Sequence, residues 1–211
     1  MKKQLIGLSV LSSLVLGMAA AHAAPPTAEL KVKGKLGVPI CNITAPDNGV
    51  YDLGRISAVQ VKPGTTISSL PTMSKTWIVN CDSPTYLSYR AIDNRTASRS
   101  DTSSTINYGL GFINGTGKIG YYTVLVDTPT VDGKKTFMYA PGKLAGDSFY
   151  MAPSDDPYIF SNNAAIATSG KSFGINMTVI PRLAGTSTMN GSVTEDVNID
   201  GSATIIFAFS V

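Results

Sequence analysis

Alternation of apolar and polar residues is the main pattern in this chain, and it predicts β-strands along most of its length. Side chains at every second position share one face of a strand, so a period of two indicates a strand with one buried face. The apolar positions fall into five stretches: Leu30, Val32, Leu36, Val38 and Ile40; Trp77, Val79 and Cys81; Leu87, Tyr89 and Ala91; Phe173, Ile175, Met177 and Val179; and Ile205, Phe207, Phe209 and Val211.

Turn residues, not helical segments, separate these stretches. Asn114-Gly115, Asp132-Gly133, Asn190-Gly191 and Asp200-Gly201 are dipeptides typical of tight β-hairpins. No long segment has the apolar period of an amphipathic helix, and residues 161–169 offer one helical turn at most. Many short strands joined by tight turns predict an all-β, immunoglobulin-like sandwich in a single domain.

The first 23 residues have the pattern of a secretion signal, so we exclude them from the predicted fold. Lys2 and Lys3 supply the positive start, residues 5–18 are apolar, and Ala21-His22-Ala23 offers a small-residue cleavage site. The apolar stretch is shorter than the roughly 20 residues of a membrane-spanning helix, which disfavours an uncleaved anchor. We therefore expect one domain, residues 24–211, in the periplasm or at the cell surface.

Removal of the signal changes the charge and takes away the only histidine. Of 17 lysine and arginine residues two are lost, while the 14 aspartate and glutamate residues remain, so the formal net charge falls from +3 to +1. A near-neutral domain has no electrostatic reason to bind nucleic acid or an anionic membrane. We expect neither partner, no membrane span after processing, and no cofactor.

Cys41 and Cys81 are the only cysteines. In an oxidising compartment an isolated pair most often forms a disulfide. Two free thiols or half of a metal site are the alternatives, but no histidine and no further cysteine is available to complete a zinc tetrahedron. The chain-entropy relation predicts that this bond would stabilise the fold by about 4 kcal/mol.

The motifs that suggest catalysis are incomplete. Gly170-Lys171-Ser172-Phe173-Gly174 matches a nucleophile elbow, but a strand follows the serine and no histidine can activate it. Gly115-Thr116-Gly117-Lys118 lacks the first glycine and the final serine or threonine of a phosphate-binding loop. Asp155-Asp156 and Glu195-Asp196 are adjacent acids in polar stretches, where carboxylates are usually solvated. We expect a protein that is not an enzyme.

The cysteine spacing and the ends of the chain resemble those of subunits of chaperone–usher fimbriae, the pilins. Gly34-Lys35-Leu36 leads to Cys41 with the spacing found in pilins, the second cysteine follows inside a strand, and the chain ends on an alternating apolar strand. The run Val38-Pro39-Ile40-Cys41, followed by residues 45–54, is similar to the opening of a group of pilin-like periplasmic proteins of unassigned function.

This resemblance implies a mechanical role and a sandwich that lacks one strand. A periplasmic chaperone would first fill the resulting groove with its own strand, and the N-terminal extension of the next subunit would then replace that strand. The implied partners are the chaperone, an usher and other fimbrial subunits. Ile205, Phe207 and Phe209 would border the groove, and the carboxylate of Val211 would anchor the chaperone. Leu30 and Val32 are the candidate donor residues, and a host or surface glycan is a further candidate partner.

Two departures from the pilin pattern concern the register and the donor. Ser210 stands where pilins have an aromatic residue, and Asn198 stands where they have a glycine. If the first strand begins near Glu29, only residues 24–28 are left to act as a donor strand. If Leu30 and Val32 belong to the donor strand instead, the first strand must begin near Gly34.

A self-complete periplasmic binding or regulatory domain is the alternative function. Its candidate surfaces are two loops, one containing Arg95, Arg99 and Asp101 and the other containing Phe149, Tyr150, Tyr158 and Phe160.

Overall fold

The computed structural model describes residues 25–142 and 146–209, so the predicted signal and Val211 lie outside the described residues. The chain divides into two units, one ending at Gly37 and the other beginning at Val38. In the first unit, residues 25–37 form neither strand nor helix, and each of them is exposed. We call residues 25–37 the leading segment and the second unit the sandwich domain.

The sandwich domain is all-β, with three short 3-10 turns at Pro46–Gly49, Ala58–Gln60 and Thr96–Ser98. Its strands in the described ranges are β1 (Cys41–Thr44), β2 (Ser68–Ser69), β3 (Met73–Asp93), β4 (Tyr108–Gly109), β5 (Phe112–Ile113), β6 (Gly117–Lys118), β7 (Gly120–Val131), β8 (Lys134–Lys135), β9 (Phe137–Tyr139), β10 (Ser148–Met151), β11 (Ser154–Ser161), β12 (Ser169–Leu183) and β13 (Ala203–Phe209). Residues 25–142 and 146–209 contain no helix with the length and apolar content needed to cross a membrane.

Strand β3 belongs to both layers of the sandwich. Its first half, residues 73–81, pairs antiparallel with β1 and β12, and β12 continues to β7 and β10. Its second half, residues 87–93, pairs with β13 on one side and β11 on the other, and β11 continues to β9. One long strand therefore links two antiparallel sheets whose inner faces can pack on each other.

Aromatic side chains join the two layers in the core. The rings of Phe160 and Phe173, one from each sheet, lie 5.0 Å apart, and those of Phe149 and Tyr158 lie 4.8 Å apart. The predicted alternation is confirmed along β3, because Val79, Cys81, Leu87, Tyr89 and Ala91 are all buried. The prediction of an all-β fold with one disulfide is confirmed.

The predicted strand at residues 30–40 is wrong, and so are both predicted starts of the first strand. The first strand begins at Cys41. Leu30 is 90 % exposed and Val32 is 88 % exposed. Alternation indicates which side chains would share a face, but a strand forms only when its backbone pairs with a neighbour, and the described leading segment belongs to no strand.

Candidate functional site

The candidate site includes one edge of strand β13, the edge that does not pair with β3. Along one edge, β13 pairs residue by residue with β3, from Ala203 opposite Asp93 to Phe209 opposite Leu87. Within residues 25–142 and 146–209, no strand pairs with the other edge. A free edge exposes backbone N–H and C=O groups that can pair with another extended chain.

The candidate site also includes a groove with a volume of about 1140 Å³, and Ile205 of β13 is part of its wall. Residues 49–58 form the first wall, and residues 193–203 form the second wall, which continues into β13. Apolar side chains of the core line the groove between these walls, among them Leu110, Tyr122, Val124, Met177, Val179 and Leu183. The groove is therefore an opening into the hydrophobic core.

The first wall is held by a tyrosine and a tryptophan. The hydroxyl of Tyr51 donates a hydrogen bond to the carbonyl oxygen of Met177 at 3.0 Å, and it accepts one from Nε1 of Trp77 at 3.2 Å. Partial burial raises the pKa of Tyr51 above its usual range, although the bond from Trp77 opposes this effect. Leu53 and Ile56 pack on the core from the same wall, which lacks regular secondary structure between residues 50 and 57.

The second wall is held by backbone hydrogen bonds and one ion pair. The N–H of Asp200 donates to the carbonyl oxygen of Leu110 at 3.0 Å, and the N–H of Asn94 donates to that of Ser202 at 3.0 Å. The guanidinium of Arg95 binds the carboxylate of Asp200 at 2.6 Å. These contacts hold an irregular segment in place before β13 begins.

A single ion pair joins the two walls. A guanidinium nitrogen of Arg55, on the first wall, lies 3.1 Å from a carboxylate oxygen of Asp196, on the second. Both side chains are more than four-fifths exposed. Exposed pairs contribute about 0–1 kcal/mol, so this contact is too weak to close the groove against an apolar occupant.

Of the four predicted groove residues, Ile205 lies in the wall of the groove. Phe207 is half-buried and packs its ring 5.7 Å from that of Tyr89. Phe209, the last residue of β13, is 41 % exposed. Val211 lies outside the described residues. Ile205 and Phe207 share one face of β13 and both pack on the core, and Ile205 also lines the groove.

The predicted disulfide joins Cys41 and Cys81, which are directly opposite on β1 and β3, with an S–S distance of 2.07 Å. Asp82 extends this pairing, since its N–H donates to the carbonyl oxygen of Ile40 and its carboxylate accepts from the N–H of Ile40. The bond from the N–H of Ile40, together with one from the hydroxyl of Ser83, favours the ionised carboxylate and keeps the pKa of Asp82 low. The disulfide therefore fixes β1 at the start of the segment that leads into the first wall.

Four tyrosines are buried in the core, Tyr89, Tyr108, Tyr122 and Tyr158, and desolvation raises the pKa of each. Desolvation raises the pKa of Tyr89, Tyr108 and Tyr122 well above the usual range, so their rings pack as uncharged groups. The hydroxyl of Tyr108 donates to the carbonyl oxygen of Met151 at 3.4 Å, and that of Tyr158 accepts from the N–H of Ala152. Among the described residues, the buried hydroxyl of Tyr89 has no hydrogen-bond partner.

Replacing Tyr89 with phenylalanine should therefore leave the protein as stable as before or more stable, by up to about 1 kcal/mol. The change removes an unsatisfied buried hydroxyl and keeps the ring that packs on Phe207. Denaturant unfolding would measure the effect. Tyr108→Phe is the matched control, expected to lose about 1 kcal/mol with its hydrogen bond. A larger loss for Tyr89→Phe than for Tyr108→Phe would contradict the prediction.

The residues of the alternative binding surfaces are largely used inside the fold. Phe160 and Tyr158 are buried, and Phe149 stacks on Tyr158, so these three rings do not form an exposed surface for stacking on sugars. Tyr150 is partly exposed. In the other loop, the guanidinium of Arg99 lies 3.8 Å from the buried carboxylate of Asp93, and Asp101 accepts hydrogen bonds from Ser103.

The candidate catalytic residues are dispersed. Ser172 lies in β12, where its N–H donates to the carboxylate of Asp132 at 2.9 Å. Asp155 is almost fully exposed and pairs with Arg90. Glu195 and Asp196 are in the second wall of the groove. The described residues contain no cluster of three or more histidine, cysteine, aspartate or glutamate side chains that could hold a metal ion.

Sequence reasoning missed the two walls. Both walls are irregular, so the period of two that indicates strands does not occur in them. Scattered apolar residues within polar stretches, such as Leu53, Ile56, Val193 and Ile199, are the signal that could have identified them.

Comparison with known proteins adds no family assignment. No protein-family model matches the chain, and a search of curated proteins found no match.

Proposed function

We propose that this protein is a non-enzymatic structural subunit, fimbrial or fimbria-like, whose fold is completed by an extended strand from another polypeptide. The observation that carries this proposal is the free edge of β13 beside a groove lined by core side chains. The backbone edge offers hydrogen bonds and the groove offers apolar contacts. A β-strand with alternating apolar side chains satisfies both at once.

The energetics favour an occupied groove. An unpaired strand edge is an aggregation hazard that proteins normally cover. Burying each leucine or valine of an incoming strand would contribute about 1.5–3 kcal/mol. Two or three such side chains are enough to stabilise the domain substantially, given that whole domains are stable by only about 5–15 kcal/mol.

The size of the groove favours a polypeptide over a small ligand. Pockets for small molecules usually have volumes of about 300–1,000 Å³ and contain a few converging polar groups. This groove has a volume of about 1140 Å³, and it runs between two walls of about ten residues each. An extended strand with apolar side chains suits a groove that core residues line beside an unpaired edge.

On this proposal the chain acts in the periplasm or in a surface fibre, with a periplasmic chaperone, an usher and other fimbrial subunits as partners. The disulfide is compatible with such an oxidising location. The resemblance of the cysteine spacing and chain ends to pilins supports the same assignment.

Purification with and without a chaperone encoded beside the gene tests this proposal. We expect the chain alone to aggregate or to remain sensitive to protease, and the chaperone to yield a soluble one-to-one complex. Circular dichroism would show whether each species is folded, and mass measurement would give the composition of the complex. A stable monomer that unfolds cooperatively, obtained without any partner, would refute the proposal.

A charge in the wall of the groove should block assembly. Ile205→Asp places a carboxylate where an incoming strand would bury its apolar face, so we expect complex formation to be lost. Ala208→Asp is the matched control, because Ala208 is exposed on the same strand. Size-exclusion chromatography with light scattering would measure the complex, and circular dichroism would verify folding. Equal complex formation by both folded variants would contradict the prediction.

A further inference from the structure

We propose that Asn114 is a site of covalent modification, where the backbone nitrogen of Gly115 displaces the side-chain amide and leaves an aspartate or isoaspartate beside the groove. Both residues lie in the turn between β5 and β6, and Asn114 is exposed. The inference goes beyond the proposed function, because the reaction needs only water and does not depend on what fills the groove. Two observations carry it: the free N–H of Gly115 and the hydrogen bonds of the Asn114 side chain.

The reaction is a ring closure between an asparagine and the glycine that follows it. The nitrogen of Gly115 forms a bond to Cγ of Asn114 and gives its proton to water, while the Cγ–Nδ2 bond breaks and Nδ2 takes a proton from water to leave as ammonia. Water then opens the cyclic imide at one of its two carbonyl carbons, which yields either aspartate or isoaspartate. Asparagine is among the chemically labile residues, and glycine has no side chain to obstruct the closure.

The chain contains three Asn-Gly dipeptides, Asn48-Gly49, Asn114-Gly115 and Asn190-Gly191. Among the described residues, the N–H of Gly115 has no hydrogen-bond partner. A Cβ atom added at Gly115 would meet no atom within 4 Å, so the space around this residue is open. The nitrogen of Gly115 therefore has both a free proton and room to approach the side chain.

The other two dipeptides are restrained by the fold. The N–H of Gly191 donates to the carbonyl oxygen of Thr186 at 2.9 Å, so this bond must break before the nitrogen can react. Gly49 is the last residue of the 3-10 turn Pro46–Gly49 and lies against Trp77, whose ring would be 3.2 Å from an added Cβ. Releasing one hydrogen-bonded N–H corresponds to about tenfold in rate.

The side chain of Asn114 binds the hairpin to the start of the second wall. Its Nδ2 donates to the carbonyl oxygen of Met189 at 2.9 Å and to that of Ser192 at 3.4 Å. Met189 lines the groove, and the second wall begins directly after Ser192. Nδ2 of Asn190 donates to the hydroxyl of Thr116 at 3.0 Å, so both asparagines must release a bond of similar length during ring closure. The side-chain bonds therefore do not distinguish the two sites, whereas the glycine N–H groups do.

Modification of Asn114 would weaken this attachment. An ionised carboxylate only accepts hydrogen bonds, so it cannot replace the two that Nδ2 donates. It would also face the carbonyl oxygens of Met189 and Ser192, which repel a negative charge. We therefore expect the second wall to open more often, while the disulfide and the paired strands remain intact.

Peptide mapping of the aged protein tests the site. The folded mature chain, alone or in its soluble complex with a chaperone, is incubated at mildly alkaline pH, reduced and digested with trypsin. The three dipeptides fall in separate fragments, residues 36–55, 100–118 and 183–211. Mass spectrometry follows each conversion, because replacing the amide by a carboxylate raises the mass. The same chain kept in denaturant is the matched control, since it contains the same dipeptides without their tertiary contacts.

In the folded chain we expect Asn114 to convert about tenfold faster than Asn190, and faster than Asn48 as well. In the denatured chain we expect similar rates at all three. Equal rates at Asn114 and Asn190 in the folded chain would overturn the site. So would an Asn114 that does not convert in the folded chain while it converts in the denatured one.

Asn114→Asp tests the consequence for the second wall. Hydrogen exchange should become faster in residues 189–203 and stay unchanged in β3. Asn163→Asp is the matched control, because it makes the same change of charge at an exposed asparagine in the turn after β11. Equal exchange in the two variants would overturn the effect on the wall. These readouts need no strand in the groove, so their failure is distinct from failure of the proposed function.

Discussion

Replacing both cysteines, Cys41→Ser with Cys81→Ser, is expected to lower the free energy of unfolding by about 4 kcal/mol. The bond closes a loop with a sequence separation of 40 residues, and its loss returns that chain entropy to the unfolded state. A loss of this size is a large share of the stability of an ordinary domain. Because β1 leads directly into the first wall of the groove, we expect capture of a strand to weaken as well.

Denaturant unfolding of both proteins under the same conditions would measure the loss, and the yield of soluble protein from the periplasm would provide a second readout. The control is a reducing agent, which should destabilise the natural chain and leave the double serine variant unchanged. An unfolding midpoint that is the same for the natural chain and the variant would disprove the prediction.

Gly120→Ala is expected to lower the free energy of unfolding by at least about 3 kcal/mol, enough to reduce the yield of folded protein sharply. A Cβ atom at this position would lie 2.0 Å from the carbonyl oxygen of Arg182. Gly120, the first residue of β7, is opposite Leu183, the last residue of β12, so the two backbones can move apart only by breaking the pairing at this end of the strands.

Gly146→Ala is the matched control for this substitution. Its added Cβ would meet only the carbonyl oxygen of Ser148 at 3.8 Å, an ordinary contact, so we expect little change. Thermal unfolding of the two variants measures the contrast. Similar melting temperatures for Gly120→Ala and Gly146→Ala would show that the sheet tolerates the added methyl group.

Two of the four predicted hairpin turns form, where local chemistry decides the structure, whereas Asn190-Gly191 and Asp200-Gly201 lie between β12 and β13, which do not pair with each other. Asn114 and Gly115 both have positive φ angles, as the turn between β5 and β6 requires, and Asp132 and Gly133 do the same between β7 and β8. The buried face of β3 follows the alternation of its residues. The pairing of Cys41 with Cys81 was equally accessible, because the chain contains no other cysteine.

Other features could not be predicted locally. Two separately predicted stretches, one around Val79 and one around Tyr89, form a single strand that passes from one sheet to the other. Phe160 and Tyr158 were candidates for an exposed surface and are instead part of the core. In both cases the outcome depends on residues distant in sequence that pack against them.

The sequence by itself determined the all-β class, the buried face of β3, the turns at Asn114-Gly115 and Asp132-Gly133, and the disulfide, since these follow from side-chain period, turn chemistry and cysteine count. Only the tertiary structure decided that Cys41 begins the first strand of the described residues, that no described strand pairs with the second edge of β13, and that irregular walls enclose a groove that core residues line. The physical reason is that strand pairing and groove formation depend on long-range backbone partners, and alternation such as that of Leu30 and Val32 does not specify which partner a strand will find.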